Sequence, residues 1–335
     1  MNDKSKRILV TGAGGFIGGH MVADLIGKGY TDIRAVDIKP MEEWYQVFPD
    51  VDNRQHDLKL REHCFSVMEG VDRVFNFAAD MGGMGFIETH KAECMLSVLI
   101  NTHMLEAARE HNVSRFLYTS SACVYAHDKQ TRPDVVALKE EDAYPAMPED
   151  GYGWEKLFSE RMCRHFSEDY GLVTRVVRLH NVYGPLGTYD GGREKAPAAT
   201  CRKVIETVMQ GRDEVEIWGD GQQTRSFMYI DDCIKGVHLM MDSDFAEPIN
   251  LGSDEMVTIN ELMDIAEEIS GRSTKLKRNY KLDAPKGVRG RNSDNTLIME
   301  VLGWAPNISL RDGLEKTYQW IQSEMESGND ARQYG

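Results

Sequence analysis

The sequence predicts an α/β protein in which a doubly wound parallel sheet is followed by a smaller, mixed α/β C-terminal domain. Three observations support this. Short apolar runs alternate with helical periodicity in the first half, a glycine-rich turn follows the first apolar run, and the pattern changes after about residue 181. Strands that alternate with helices are typical of βαβ units, whose right-handed crossovers place helices on both faces of a parallel sheet.

The elements of the first half are defined by short apolar runs and by helical spacing. We predict strands over residues 7–11, 32–36, 73–77, 115–119 and 174–179, and helices over residues 16–28, 96–110 and 151–170. Beyond residue 181 glycine and proline become frequent, and we predict helices over 198–210, 260–269 and 310–326 and a strand over 214–218. The expected domains are residues 1–180 and, mainly, residues 181–335, with some segments of the second returning to the first.

Composition excludes several classes of function. The net charge of −15 argues against a broad nucleic-acid-binding surface. No run reaches the roughly 18 to 20 apolar residues that a membrane helix needs, and residues 1–7 lack the apolar core of a signal peptide. We therefore expect a cytoplasmic protein. The six cysteines form no CxxC pair and no zinc-type cluster with histidine, so no metal site is predicted.

A glycine-rich turn, TGAGGFIG (residues 11–18), lies between the first predicted strand and the first predicted helix. Gly12, Gly15 and Gly18 have GxxGxxG spacing, which permits a tight turn and a close approach of the backbone to a pyrophosphate. The helix that begins with Phe16 and Ile17 supplies N–H donors and the positive end of its dipole. We therefore expect a dinucleotide at this turn, in a Rossmann-type site.

Asp37 follows the second predicted strand, nineteen positions beyond Gly18. A carboxylate here accepts hydrogen bonds from the adenosine ribose and repels a 2′-phosphate, which favours NAD over NADP. The nearby Lys39 weakens that preference, and Asp37 alone would also suit a surface turn. Two further pairs are expected to contact the cofactor, one beside the adenine and one with small side chains along the path of the dinucleotide: Asp57 and Leu58, and Ala78 and Ala79.

Tyr152 and Lys156 have Tyr-x-x-x-Lys spacing at the start of a predicted helix, so they share one helix face. A phenol with a pKa near ~10 is a poor base at neutral pH, but a nearby ammonium and the charge of the nicotinamide favour the phenolate. Ser121, just after a predicted strand, would hold the same substrate oxygen. The three residues are the parts of a site for hydride transfer between alcohol and ketone. The alternative is a chance surface pair, because the spacing is common.

The strings TGAGGFIG, SSACVY (residues 120–125) and RLHNVYGP (residues 178–185), together with the Tyr-x-x-x-Lys pair, resemble the extended short-chain dehydrogenase family, in particular its members that act on nucleotide sugars. The resemblance covers nearly the whole chain. It implies an N-terminal Rossmann domain that binds NAD, a C-terminal substrate domain, and a homodimer formed through a pair of helices.

Further strings resemble one subgroup of that family, whose members epimerise GDP-mannose at C3 and C5: AADMGGMGF (residues 78–86), GGREKAPAA (191–199), WGDGQQTRSF (218–227), NLGSDEMV (250–257) and GVRGRNSDN (287–295). This implies a transient oxidation at C4, after which the protons at C3 and C5 can leave through an enolate. The expected products are GDP-L-galactose and, from inversion at C5 alone, GDP-L-gulose. Gln222 and residues 88–101 depart from the subgroup's pattern, away from the expected chemistry.

Inversion needs a base on one face of the sugar ring and an acid on the other, and Cys123 and Lys195 are the candidates. Cys123 stands two residues after Ser121, so an extended backbone would point both side chains the same way. The pKa of a thiol and of a buried lysine can both be shifted toward neutrality. The residues leave open which one is the base, although the resemblance suggests the cysteine. A packed thiol and a solvated lysine are the alternatives.

An anionic substrate in an acidic protein needs locally concentrated basic residues. Arginine binds phosphate oxygens in a bidentate manner, and any single arginine could instead be a surface charge. Trp218 would stack on the guanine or be a buried structural residue, and Asn181 would lie near the diphosphate by resemblance. The remaining expected substrate contacts are Gly82, Gly83, Ala122, Lys203, Gln223, Arg225 and Arg291, with Arg289 as a further basic candidate.

Two other functions compete with this interpretation. Another nucleotide-sugar epimerase or a 4,6-dehydratase would use the same cofactor site, but a 4-epimerase would leave Cys123 and Lys195 idle, and a dehydratase usually has acidic residues in place of Ala122 and Cys123. A non-catalytic protein that only binds NAD would not need Ser121, Tyr152 and Lys156 together.

Overall fold

A computed structural model of the chain describes residues 3–284 and 287–328; the end of the predicted second domain, residues 329–335, lies outside this range. The strands are β1 (Arg7–Thr11), β2 (Ile33–Asp37), β3 (Asp52–Gln55), β4 (Val71–Asn76), β5 (Arg115–Ser121), β6 (Thr174–Leu179), β7 (Val182–Tyr183), β8 (Glu214–Trp218), β9 (Thr224–Ser226), β10 (Met228–Tyr229), β11 (Ile249–Leu251), β12 (Met256–Thr258), β13 (Lys277–Lys281) and β14 (Gly290–Arg291).

The α-helices of the described residues are α1 (Phe16–Gly27), α2 (Arg61–Met68), α3 (Met84–Thr89), α4 (Lys91–Glu110), α5 (Tyr152–Tyr170), α6 (Ala196–Met209), α7 (Ile230–Asp242), α8 (Ile259–Ile269), α9 (Thr296–Leu302) and α10 (Leu310–Glu326). Short 3-10 helices cover Met41–Glu43, Ala122–Val124, His127–Gln130 and Glu140–Ala143. None of the helices in the described part of the chain is both long enough and apolar enough to cross a membrane.

Seven strands form one parallel sheet in the order β11-β6-β5-β4-β1-β2-β3, which confirms the predicted fold class. The chain progresses outward from β1 in one direction and then from β4 in the other. Such a reversal opens a crevice at the carboxyl ends of the strands, where open α/β sheets bind ligands. The smaller sheets, β10-β7, β12-β9-β14 and β13-β8, belong to the C-terminal half.

Two strands of the large sheet differ from the sequence prediction. The strand β3 was not predicted, because its sequence DNRQ has no apolar run; it needs none, since it is an edge strand paired only with β2. The strand β11 comes from the C-terminal half and pairs with β6 at the opposite edge. A segment beyond residue 181 is therefore part of the first domain's sheet.

The two faces of the sheet are covered by different cores. On one face, apolar residues of α2, α4 and α5 pack together, among them Val67, Met104 and Cys163. On the other face, Met21 of α1 and Val237 of α7 belong to a larger core that continues into α6, α8 and α10. Because this second core is continuous, it holds the C-terminal helices at the carboxyl edge of the sheet and closes one side of the crevice.

Candidate active site

A cavity of about 850 Å³ lies between the carboxyl ends of the strands and the C-terminal half. Its walls are the glycine-rich turn, the ends of β2, β4 and β5, the start of α5, the segment before α6, and the neighbourhood of β8 and β9. Every residue that the sequence assigned to the cofactor or the substrate lines this one cavity, except Arg289. Arg289 instead donates to the carboxylate of Asp220 at 3.0 and 3.1 Å, outside the cavity.

The glycine-rich turn is packed too tightly for side chains. Gly12 has a φ of +65°, and a Cβ on it would lie 3.1 Å from the backbone nitrogen of Ala78. A Cβ on Gly18 would lie 2.2 Å from the backbone oxygen of Gly12. Gly15 begins α1 without a side-chain cap, and no acidic residue lies in the first turn, so the helix N-terminus faces the cavity with its own N–H groups. This cradle fits a pyrophosphate.

Asp37 ends β2 beside the turn and is buried. Its carboxylate accepts from the backbone nitrogen of Gly14 at 3.0 Å and from that of Lys39 at 3.0 Å. Burial raises the pKa of Asp37, while these two N–H groups act in the opposite direction. Asp37 lines the cavity, and each carboxylate oxygen can accept a further hydrogen bond, so the geometry is compatible with a ribose contact. The two further pairs expected at the cofactor, Asp57 with Leu58 and Ala78 with Ala79, also line the cavity.

Ser121, Tyr152 and Lys156 meet where β5 ends and α5 begins. Burial raises the pKa of the Tyr152 phenol well above its ordinary value, and the neighbouring Ser121 hydroxyl acts in the opposite direction. The Lys156 ammonium donates to the backbone oxygen of Thr119 at 3.3 Å and lies 5.4 Å from the centre of the Tyr152 ring. The sequence argument counted the positive charges of the lysine and the nicotinamide and missed the effect of burial on the pKa of Tyr152.

Cys123 is not on an extended strand, so the reasoning from alternating side chains was wrong. β5 ends at Ser121, and Ala122–Val124 forms a 3-10 turn whose first free N–H, on Cys123, donates to the Ser121 hydroxyl at 3.2 Å. The two residues therefore meet through a capped turn. The thiol is only 6% exposed, and burial raises its pKa.

Lys195 enters the cavity from the segment that precedes α6. Its ammonium donates to the backbone oxygen of Gly82 at 3.0 Å, and burial lowers its pKa. Gly83 packs against the same segment, because its N–H donates to the backbone oxygen of Arg193 at 3.0 Å. The cavity thus brings a thiol and an amine together with the Tyr152 phenol, and burial shifts the pKa of the thiol upward and that of the amine downward.

The far end of the cavity carries the basic and aromatic groups. Trp218 is 44% exposed, which excludes a buried structural role, and the Lys203 ammonium lies 5.6 Å from the centre of its ring. Gln223 donates to the backbone oxygen of Trp218 at 2.9 Å. Burial lowers the pKa of Arg225 to about 10. Asn181 donates to the backbone oxygen of Ser226 at 3.1 Å, and Arg291 lies beside Cys123.

Sequence reasoning missed Glu149, which lines the cavity and is 9% exposed. It forms an ion pair with Arg291, and its backbone N–H donates to the backbone oxygen of Cys123 at 3.0 Å. Its sequence neighbourhood, PAMPEDGYG, has the composition of a solvated loop, so no pattern marked this carboxylate as buried.

Comparison with known proteins places the chain among nucleotide-sugar enzymes. Residues 8–252 match the model of the NAD dependent epimerase/dehydratase family. The GDP-mannose 3,5-epimerase 1 of Oryza sativa subsp. japonica is 49% identical over 98% of this chain and 86% of its own length. The GDP-mannose 3,5-epimerase of Arabidopsis thaliana is 48% identical over the same shares.

Solved structures have the same fold. The UDP-glucose 4-epimerase of Thermotoga maritima, in complex with UDP-glucose, has a TM-score of 0.83 and 27% identity over 95% of this chain and 99% of its own. The UDP-glucuronic acid 4-epimerase of Bacillus cereus, in complex with UDP-glucuronic acid and NAD, has a TM-score of 0.79 and 25% identity over the same shares.

Proposed function

Because the chain belongs to the NAD dependent epimerase/dehydratase family, we propose that it is an NAD-dependent isomerase that inverts C3 and C5 of GDP-mannose. The products are GDP-L-galactose and, after inversion at C5 alone, GDP-L-gulose. Relatives 48 to 49% identical over 98% of the chain, named GDP-mannose 3,5-epimerase, support this substrate. The observation that carries the proposal is the convergence of Cys123 and Lys195 on the Ser121–Tyr152–Lys156 group in one cavity.

The glycine cradle and Asp37 are the groups that would hold NAD, with the pyrophosphate at the N-terminus of α1 and the ribose at the carboxylate. When bound, NAD supplies a hydride acceptor for C4 of the sugar and returns the same hydride later. Phe16 and Ile17 of the first turn of α1 and the small Ala78 and Ala79 line the remaining wall. The cofactor is not consumed.

Tyr152 takes the proton of the C4 hydroxyl, while Ser121 holds the same oxygen. The buried Lys156 ammonium lies over the Tyr152 ring at 5.4 Å and stabilises the phenolate. Burial raises the pKa of Tyr152, so the phenolate depends on positive charge beside it, from Lys156 and from a bound nicotinamide.

Cys123 and Lys195 then act on the carbons that flank the ketone. A C–H bond beside a carbonyl is acidic enough for a side chain to remove its proton, and the enolate is protonated again from the other face. We assign the thiol and the amine to C3 and C5 because both can donate and accept a proton and both converge with the Ser121–Tyr152–Lys156 group in the cavity. Arg225, Arg291 and Lys203 bind the diphosphate and the sugar. Gly82 and Gly83 let the backbone approach the sugar, and Trp218 stacks on the guanine base.

The test is incubation with GDP-mannose in deuterated water, followed by mass spectrometry and NMR of the recovered sugar. Deuterium is expected at C3 and C5 and not at C4, because the C4 hydrogen leaves and returns as a hydride. A 4-epimerase or a protein that only binds NAD would incorporate deuterium at none of these carbons. Deuterium at C4, or at neither C3 nor C5, contradicts the proposal.

We also propose that two copies pair through α4 and α5. These helices pack side by side, and both expose large apolar side chains: Met95, Leu96 and Leu99 on α4, and Trp154 and Phe158 on α5. A second copy of the same face would bury them in a symmetric four-helix interface. Light scattering tests this: a dimer is expected, and Phe158→Glu should shift it toward monomer. The cytoplasmic location stays a prediction.

A further inference from the structure

Glu149 belongs to a buried cluster that surrounds the sulfur of Cys123. The Arg291 guanidinium binds three groups at once: it forms an ion pair with Glu149, donates to the Gln130 side-chain oxygen at 2.6 Å, and donates to the Cys123 sulfur at 3.6 Å. Glu149 is tied to the same turn through its backbone bond to the Cys123 oxygen at 3.0 Å. Cation, anion and thiol are therefore held in fixed relation to each other.

The second oxygen of the Glu149 carboxylate has no hydrogen-bond partner among the described residues, although it is buried. A buried carboxylate oxygen without a hydrogen-bond partner costs free energy and calls for an explanation. The Glu149 carboxylate lines the cavity, so part of its negative charge faces the cavity as well as Arg291. From these contacts we propose that Glu149 is a positioning residue, which fixes Arg291 against the Cys123 sulfur and counters the positive charge that Arg291 brings to it.

Several charged groups lie around Cys123, so the negative charge of Glu149 affects the protonation of the thiol. Arg291, Arg225 and Lys195 all surround the thiol with positive charge, whereas Glu149 is the carboxylate that acts on it and Tyr152 is its neutral neighbour. Burial raises the pKa of the thiol, Glu149 raises it further, and Arg291 lowers it. Without Glu149 the pKa of the thiol would fall, because Arg291 and Lys195 would act on it with no carboxylate opposing them, although burial would still raise it.

The role of Glu149 follows from this balance and rests on the proposed function, in which Cys123 exchanges protons with the sugar. Glu149 adds to the effect of burial in raising the pKa of the thiol, and it holds Arg291 beside the sulfur. The carboxyl itself stays ionised: burial raises the pKa of Glu149, but Arg291 outweighs burial and holds it below the ordinary value.

The test measures the thiol directly and does not depend on turnover. In the full chain, the rate of Cys123 alkylation by iodoacetamide is followed against pH by mass spectrometry of the Cys123 peptide. Glu149→Gln removes the charge and keeps the shape, so the midpoint of this profile is expected to move down by about 1 pH unit or more. At a pH below both midpoints, alkylation should be about tenfold faster than in the wild type.

Two variants provide matched controls. Glu149→Asp keeps the negative charge, so its midpoint should stay near that of the wild type. Glu160→Gln removes a carboxylate from a similarly buried ion pair, whose partners are Arg178 and the Ser120 hydroxyl and not the thiol, and should leave the midpoint unchanged even if it lowers the melting temperature. An unchanged midpoint in folded Glu149→Gln, or equal shifts in all three variants, overturns the inference. Loss of deuterium exchange in the wild type would instead refute the proposed function and leave this result standing.

Discussion

The wall of the cavity that faces the cofactor and the wall that faces the sugar are built by different means. The first consists of backbone at the ends of regular elements: the turn before α1, the end of β2 and the junction of β5 with α5. The second consists of side chains that come from short strands, from α6 and from loops distant in sequence, and buried charges such as Glu149 and Arg291 hold it in place. Substitutions in the first wall should therefore act through sterics, and substitutions in the second through protonation.

The largest effect is expected from Tyr152→Phe, where the two walls meet. The variant removes the group that takes the C4 hydroxyl proton, so no ketone forms and every later event fails with it. Turnover should fall by ~10² to 10⁴-fold, and deuterium exchange at C3 and C5 should fall by the same factor. The check is parallel measurement of both. If deuterium exchange persists without turnover, then exchange at C3 and C5 does not need oxidation at C4, which contradicts the proposed order of events.

Cys123→Ser should impair the sugar-facing wall and leave the cofactor-facing wall intact. The hydroxyl replaces the thiol at similar size but does not ionise usefully near neutral pH, whereas Ser121, Tyr152 and Lys156 remain. Inversion should therefore fall by ~10² to 10⁴-fold, while oxidation at C4 persists and is seen as absorbance of the reduced nicotinamide on mixing with GDP-mannose. Near-normal formation of the L-sugars would show that the thiol only packs and that the base lies elsewhere.

Gly18→Ala tests whether the cofactor-facing wall depends on close backbone packing. A Cβ at Gly18 would lie 2.2 Å from the Gly12 oxygen, so the turn must shift. We expect the free energy of unfolding to fall by about 1 to 3 kcal/mol and NAD affinity to fall with it, as measured by thermal unfolding and NAD titration. Gly27→Ala is the matched control in the same helix, because a Cβ there meets nothing within 4 Å; it should leave NAD binding unchanged.

The same division decides how much was predictable from the sequence. Gly12, Gly18 and Tyr152 stand at fixed offsets from strands and helices whose periodicity is visible, so their convergence followed from the fold. The strand β3 was missed because pairing on one edge needs no apolar pattern. Glu149 was missed because its burial comes from Arg291, 142 positions away in the chain. Local composition cannot reveal a charge that is buried by a distant partner.

Arg289→Ala is expected to have the smallest effect, and it tests the limit of the sugar-facing wall. The sequence grouped Arg289 with the phosphate-binding residues, but its side chain is 32% exposed and pairs with Asp220, itself 43% exposed. Exposed ion pairs contribute roughly 0 to 1 kcal/mol, and no part of this one lines the cavity. The KM for GDP-mannose should therefore stay within about twofold of the wild type, because this exposed pair does not contact the substrate. Arg225→Ala is the comparison, because Arg225 lines the cavity. This variant loses a charged hydrogen bond to phosphate, so its KM should rise about tenfold or more. An equal rise in KM in the two variants would extend the substrate site to Arg289 and place the diphosphate outside the cavity.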